Sequence, residues 1–189
     1  MIIEKSILFN NRYFLILLDS LYSYFIYKTF FVKYEINHNG YYIYTLFCII
    51  SSLLLFLCSR NIKTRLGLGI FYKLTPFEKA YNYSKKDLRI KRSIKSLKGI
   101  SNSEFYEKFY SKVKNNEDVK IKNAEFCFFR DCAVLTFAKV IIIIILNIFI
   151  FSQINYLFIA TLILYILLVS ISWRTARDFV LQILVSKKE

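Results

Sequence analysis

Few side chains in this 189-residue sequence are of the types that carry out catalysis or bind metal ions. The single histidine, His38, has no second imidazole with which to share a metal. No two of the four cysteines have the Cys-x-x-Cys spacing of a zinc or redox site; they are Cys48, Cys58, Cys127 and Cys132. We therefore interpret the cysteines as small apolar residues kept reduced, and we expect no metal and no cofactor.

Sequence motifs of the common enzyme classes are also absent. The chain has no His-Glu-x-x-His, no Gly-x-Ser-x-Gly and no phosphate-binding loop. Its Gly67-Leu68-Gly69 is a lone glycine pair without a strand before it and a helix after it, so we interpret it as a flexible exit from an apolar run. With one histidine, acid–base catalysis would depend on a few scattered carboxylates. We predict that the protein is not an enzyme.

Two charged residues stand out because they lie deep inside long apolar runs, whereas Lys28 lies near the end of its run, where its side chain can extend to the headgroups. The two are Asp19 and Lys139. A charge in hydrocarbon is costly unless it is paired, neutralised or hydrated, so such residues are candidate functional positions. Whether these two can meet depends on the elements that carry them.

Four apolar runs are long enough to cross a bilayer as helices, which needs about 18 or more residues. The composition supports this reading, because 56% of the residues are hydrophobic and the charged residues are concentrated elsewhere. The fold class that we predict is all-α, with four transmembrane helices at residues 14–32, 41–59, 133–151 and 155–173. The first run is too long for the apolar core of a signal peptide and lacks a cleavage site, so we expect it to remain as a span.

The distribution of lysine and arginine predicts the orientation of these spans. Residues 60–132 hold 18 basic and 8 acidic residues, a net charge of +10, whereas residues 33–40 hold one charge of each sign and residues 152–154 hold none. Both termini carry basic residues as well. We therefore predict a multi-pass membrane protein, with both termini and the middle segment in the cytoplasm.

This topology places the two charged residues at similar depth. Asp19 lies about six residues from the cytoplasmic end of the first span, and Lys139 about seven residues from that of the third. At 1.5 Å per residue both are roughly 8–10 Å deep. We predict that they form an intramembrane polar pair, within one bundle or between subunits. Snorkelling of Lys139 to the headgroups is the alternative.

Three segments follow from these boundaries. Residues 1–59 form an N-terminal segment with a transmembrane hairpin, and residues 133–189 form a second hairpin with an amphipathic cytoplasmic tail. Residues 60–132 form a basic, mostly helical cytoplasmic segment, with helix-start signals at Thr75-Pro76-Phe77-Glu78 and Ser101-Asn102-Ser103-Glu104. Around Val119–Ile121 either a helix or a short strand is consistent with the sequence. Such a small segment buries a marginal core alone, so we expect a homo-oligomer.

Lys85, Arg89 and Arg92 lie on one face of the first predicted cytoplasmic helix, at spacing i, i+4 and i+7. Three interpretations remain open for this face. It can be a solvated surface near anionic lipid headgroups, or it can dock on an acidic cytosolic protein. Direct nucleic-acid binding would use the same residues for phosphate contacts, but no nucleic-acid-binding motif accompanies them.

The whole-chain plan of four spans with a basic segment between the middle pair resembles a known family. It is similar to the four-span membrane subunits, the KwaA-like proteins, of the bacterial Kiwa anti-phage system. The resemblance implies a homo-oligomeric inner-membrane assembly that holds a cytosolic, DNA-binding partner and responds to infection. It assigns no function to individual residues.

The function that we expect is a non-enzymatic membrane scaffold or sensor that recruits a cytosolic partner through residues 60–132. The alternative is an oligomeric pore-forming effector that depolarises the membrane. The partners implied are therefore the lipid bilayer, further copies of the chain and a cytosolic protein.

Overall fold

The computed structural model describes residues 12–28, 40–69, 102–146 and 156–186, and all secondary structure within these ranges is helical. The predicted all-α class is therefore confirmed for this part of the chain. A π-helical turn at Tyr106–Tyr110 joins two short helices, α4 and α5. The helices are α1 (Arg12–Tyr27), α2 (Gly40–Leu57), α3 (Arg60–Gly67), α4 (Asn102–Phe105), α5 (Ser111–Val113), α6 (Glu117–Leu146) and α7 (Tyr156–Ser186).

Among the described helices, α7 is long and apolar enough to cross a membrane. Shorter apolar helices lie at Phe14–Ile26 and Cys48–Leu57, within the first and second predicted spans. Helix α6 combines the start of the third predicted span with a charged N-terminal half. One described helix thus has the length and composition of a membrane span, and the four-span arrangement stays a prediction. The predicted basic helix, with Lys85, Arg89 and Arg92, lies outside the described residues.

Helices α6 and α7 form the longest packed pair in the described fold and run antiparallel. The rings of Phe126 and Phe179 are stacked with centroids 6.3 Å apart, and the ring centroids of Phe137 and Tyr165 are 5.4 Å apart. Residue numbers therefore increase along α6 in the direction in which they decrease along α7. Small side chains buried in these two helices let the backbones approach closely. They are Ala133, Ala138, Ser172 and Ala176.

Helix α6 starts well before the predicted third span. Asn116 caps its N-terminus, because its side-chain oxygen accepts hydrogen bonds from the backbone N–H groups of Asp118 (3.0 Å) and Val119 (3.4 Å). Glu117 and Asp118 place negative charge in the first turn, where the helix dipole favours it. The stretch around Val119 is thus helical, and the predicted boundary at 132/133 falls inside one continuous helix.

A second packed region lies where residues 102–113 meet the N-terminal half of α6 and the C-terminal half of α7. Phe105, Phe109, Val119 and Phe126 belong to one buried cluster with the C-terminal part of α7. The apolar face of the predicted tail is buried in this cluster; its members are Ala176, Phe179, Val180, Ile183 and Leu184. The tail is therefore an extension of α7 that packs against residues 102–113 and the N-terminal half of α6.

Helix α3 is fixed to α7 and α6 at its C-terminal end. Tyr165 donates a hydrogen bond from its hydroxyl to the Leu66 carbonyl (2.9 Å), and Trp173 donates from its indole N–H to the Leu68 carbonyl (2.6 Å). These donors satisfy carbonyl groups near a helix end that would otherwise lack partners. Trp173 is buried by this contact, so it is part of the protein core, and a headgroup anchor would need its ring exposed.

The two glycines at the C-terminal end of this helix allow close packing and a tight helix stop. A Cβ atom on Gly67 would lie 2.5 Å from the Arg130 side chain and 2.8 Å from its backbone oxygen, so α3 approaches α6 more closely than any side chain would allow. Gly69 adopts φ 91°, a left-handed conformation that favours glycine. The flexible exit predicted at this pair is therefore a specific helix stop.

Large exposed apolar side chains are confined to one part of the described surface. On α1, α2 and α3 they lie between Ile16 and Ile62, on α6 between Ile141 and Ile145, and on α7 between Tyr156 and Ile171. Between residues 63 and 140, and after residue 171, the described residues include none. A soluble monomer seldom exposes so much contiguous apolar surface. We call this surface the apolar belt.

Candidate functional site

Three helices bring four polar side chains together beneath the apolar belt. Asp19 and Ser23 lie four residues apart on α1, which places them on one helical face. Ser51 comes from α2 and Lys139 from α6. All four are buried, and Lys139 is 0% exposed. We call these four residues the polar cluster.

The Lys139 ammonium group is the centre of the polar cluster. Its Nζ atom lies 3.0 Å from Asp19 Oδ1, donates a hydrogen bond to Ser51 Oγ at 3.1 Å, and donates another to Ser23 Oγ. An ammonium group has three N–H donors; the two serine hydroxyls accept from two of them, and Asp19 supplies the counter-charge. Lys139 therefore points into the bundle, and it does not extend toward a headgroup layer.

Asp19 is held from two sides. Ser51 donates its hydroxyl to Asp19 Oδ2 at 2.6 Å, while Oδ1 contacts Lys139 as an ion pair without the directed geometry of a hydrogen bond. Ser51 therefore contacts both charged groups. The two residues that the sequence analysis paired are in direct contact within one chain; the functional importance of the pair stays a prediction.

The electrostatics of the polar cluster favour a structural role. One positive and one negative charge cancel, and the serine hydroxyls provide dipoles where water is excluded. Breaking one member of such a pair leaves an uncompensated charge in a low-dielectric environment, which is strongly unfavourable. The cluster therefore ties α1, α2 and α6 together, and we see in it no arrangement of a nucleophile with a base.

A separate polar contact attaches α1 to α7. The Tyr22 hydroxyl donates a hydrogen bond to Thr161 Oγ1 at 2.7 Å, and the Thr161 hydroxyl lies 2.8 Å from the Leu157 carbonyl of its own helix. Tyr22 is adjacent to Ser23 in sequence, so α1 carries polar links toward two different helices within one turn. Helix α1 is thus held by directed bonds as well as by apolar packing.

A second buried charge pair lies on α6, nearer its N-terminus. Arg130 binds the carboxylate of its neighbour Asp131 through Nε (2.8 Å) and a terminal nitrogen (2.7 Å), and its guanidinium lies 5.7 Å from the centre of the Phe126 ring. The same residue packs against Gly67 of α3. This pair fills the contact between α3 and α6.

The chemistry available to Cys132 is limited by its surroundings. Burial, with a smaller contribution from the adjacent Asp131 carboxylate, raises the pKa of the Cys132 thiol to about 12. A thiol in this state stays protonated near neutral pH and is neither a good nucleophile nor a good metal ligand. Across the described residues, no group of three His, Cys, Asp or Glu side chains is placed to hold a metal ion.

Sequence reasoning identified the two charges but missed their serine partners. Ser23 could have been found, because it lies one helical turn after Asp19 on the same face. Ser51 could not be distinguished from its neighbour Ser52, since only the packing of α2 decides which hydroxyl faces inward. The partner-binding prediction for Lys85, Arg89 and Arg92 lies outside the described residues.

Comparison with known proteins gives no relative from which to transfer a role: no family model, no curated protein and no solved structure matches the chain.

Proposed function

We propose that this chain is a multi-pass protein of the bacterial inner membrane that acts as a non-enzymatic scaffold or sensor. In this proposal four helices cross the bilayer, and the cytoplasmic segment at residues 60–132 recruits a cytosolic protein. Copies of the chain associate in the membrane.

The single observation that carries this proposal is the division of the described surface. Large apolar side chains are exposed on α1 and α2 and on the connected halves of α6 and α7, where lipid would cover them. Beyond the belt, apolar side chains such as Phe109 are buried and charged side chains such as Lys120 are exposed. A bilayer favours the first pattern and water favours the second.

Two continuous helices support a scaffold or sensor role. Helices α6 and α7, of 30 and 31 residues, run without a break from the belt into the packed region around Phe179. A shift of α6 at the polar cluster would therefore be transmitted along the helix axis to residues near Phe126. The continuous helices would thus couple a structural change within the bilayer to the cytoplasmic surface that binds the partner.

The pore-forming alternative has less support. Asp19 and Lys139 are charged residues that could line a conducting path, but both are buried and they form an ion pair with each other. A pore would have to break this pair or use other residues. We therefore place the scaffold function first.

The resemblance to the four-span subunits of the Kiwa system extends the proposal. It suggests a role in anti-phage defence, in which the recruited cytosolic protein binds DNA and the membrane subunit itself does not. Direct nucleic-acid binding by Lys85, Arg89 and Arg92 is thus the less favoured role for that face.

The proposed topology predicts the location of reporters fused along the chain. Fusions at Asn39 and Gln153 should give a periplasmic signal, while fusions at Asn116 and at the C-terminus should give a cytoplasmic signal. The reason is the concentration of lysine and arginine in residues 60–132. Paired alkaline phosphatase and fluorescent protein fusions measure this. A cytoplasmic signal at Asn39 would remove the first span and overturn the four-span proposal.

The recruiting function predicts the effect of charge reversal on the basic face. Changing Lys85, Arg89 and Arg92 together to glutamate should leave membrane insertion intact and abolish co-purification of the cytosolic protein that crosslinking attaches to the wild-type chain. Six units of charge change turn an attractive surface into a repulsive one for an acidic partner. Affinity purification from crosslinked membranes measures the recovery of that partner.

A matched control uses three lysines on the described cytoplasmic helices. Lys112, Lys114 and Lys120 are exposed, so their reversal to glutamate changes the net charge equally at a different surface. Partner recovery should persist in this variant. Equal loss in both variants, or full recovery in both, contradicts a specific docking face. The same strains test the pore alternative, since overexpression of a scaffold should leave the membrane potential unchanged.

A further inference from the structure

Helix α3 lies at the edge of the apolar belt. It begins directly after Leu57, which is 78% exposed at the end of α2. Its C-terminal carbonyl group at Leu68 binds Trp173, two residues after Ile171, where the exposed apolar side chains of α7 end. Two independent helices therefore place α3 at the same boundary between apolar and polar surface.

The exposed side of α3 combines basic and apolar groups. Arg65 is exposed, Lys63 is partly exposed, and the helix contains no acidic residue. Within the part of the chain that the structure describes, neither cation has a carboxylate at ion-pair distance. Ile62 on the same short helix is 48% exposed, although its neighbours are polar. This combination suits an interface where apolar groups enter the bilayer and cations meet phosphate.

Hydrogen bonds hold α3 in this position. Ser59 caps its N-terminus by accepting from the Ile62 N–H at 3.4 Å, and Tyr165 and Trp173 bind its C-terminal carbonyl groups. Contact with Gly67 fixes the opposite side against Arg130. The rotation of the helix is thereby set, so its cations are presented at a constant place relative to the belt.

We propose that α3 is a binding site for the phosphate headgroup of an anionic phospholipid, with Arg65 as the phosphate-binding residue, Ile62 inserted among the acyl chains on the same side of the helix, and Lys63 adding positive charge from the adjacent side. The inference rests on the proposed membrane placement and adds a lipid specificity to it. A bound anionic lipid would neutralise α3 beside the already satisfied Arg130–Asp131 pair. It would also bridge α2 and α7, which α3 connects.

The test uses the full-length protein, purified in a neutral detergent and depleted of lipid. Phosphatidylglycerol or phosphatidylcholine is titrated, and the thermal unfolding midpoint reports binding. We expect phosphatidylglycerol to stabilise the protein at about tenfold lower concentration than phosphatidylcholine. The double variant Lys63→Gln/Arg65→Gln should need about tenfold more phosphatidylglycerol, with an unchanged midpoint before lipid is added.

The controls separate this site from a general response to charge. Lys112→Gln/Lys120→Gln removes two exposed cations elsewhere and should keep the wild-type lipid response. Equal stabilisation by both lipids, equal loss in both double variants, or stabilisation by inorganic phosphate alone would each overturn the inference. Stabilisation by an acidic peptide but by no lipid would reassign α3 to protein docking and overturn it too.

A companion measurement keeps the two proposals distinguishable. Native membranes are washed with alkaline carbonate, which releases peripheral proteins and retains integral ones. Retention without a preference for phosphatidylglycerol refutes the lipid site and leaves the membrane placement intact. Release of the wild-type protein refutes the membrane placement itself.

Discussion

Replacing Lys139 with methionine should destabilise the protein by about 3–5 kcal/mol, because it strands the Asp19 carboxylate in a buried site. Asp19→Asn should cost a similar amount, since the ammonium group would lose its counter-charge and keep only serine partners. The double variant Asp19→Asn/Lys139→Met should be less destabilised than either single variant. Thermal unfolding in detergent, together with the amount of folded protein recovered from membranes, measures these differences.

This non-additive pattern is what tests the pairing. Two residues that act independently give additive losses, whereas a coupled pair gives an interaction energy of the size of the single losses. A matched control is the exposed pair of Glu104 and Lys108, whose charged atoms are 3.7 Å apart on one helical turn. Glu104→Gln, Lys108→Met and their double variant should all unfold close to the wild-type temperature, as exposed pairs contribute little. Additive losses at Asp19 and Lys139 would show that their contact does not stabilise the fold.

The second large effect concerns Phe179, which lies in the buried cluster that residues 102–113 form with α6 and the C-terminal half of α7. Its ring stacks on Phe126 at 6.3 Å and meets Tyr110 edge-on at 5.7 Å, and the residue is 2% exposed. Phe179→Ala should cost about 3–5 kcal/mol, because it leaves a cavity between α6, α7 and the π-helical turn. Amides of residues 102–133 should then exchange with solvent faster, and protease should cleave this region in membrane vesicles.

The matched control for Phe179 is a phenylalanine on the apolar belt. Phe25 is 56% exposed on α1, so Phe25→Ala removes a ring that lipid would replace and leaves no internal cavity. Hydrogen exchange in residues 102–133 should stay at the wild-type rate in this variant. If Phe179→Ala leaves protease sensitivity and exchange unchanged, the C-terminal half of α7 does not stabilise the cytoplasmic helices.

The sequence by itself determined the helical class and the two unusual charges. Within the long apolar runs, the lack of polar–apolar alternation excludes strands. Asparagine and glutamate at Asn116–Glu117 mark the start of a helix that the structure contains. The apolar face around Ala176 and Phe179 was also readable, since helical periodicity depends on local geometry alone. These features are encoded over a few turns and need no knowledge of distant contacts.

Only the tertiary structure decided what these features contact. The partners of Lys139 come from positions 88 to 120 residues away, and the rotation of α1 and α2 about their axes selects Ser23 and Ser51. The same holds for Trp173, which composition alone would place among headgroups but which binds the end of α3. The lengths of α6 and α7 depend on tertiary packing for a related reason. The length of an apolar run shows where lipid can cover a helix. The two helices extend beyond their apolar runs because residues such as Val119 and Ile183 are buried in the protein core.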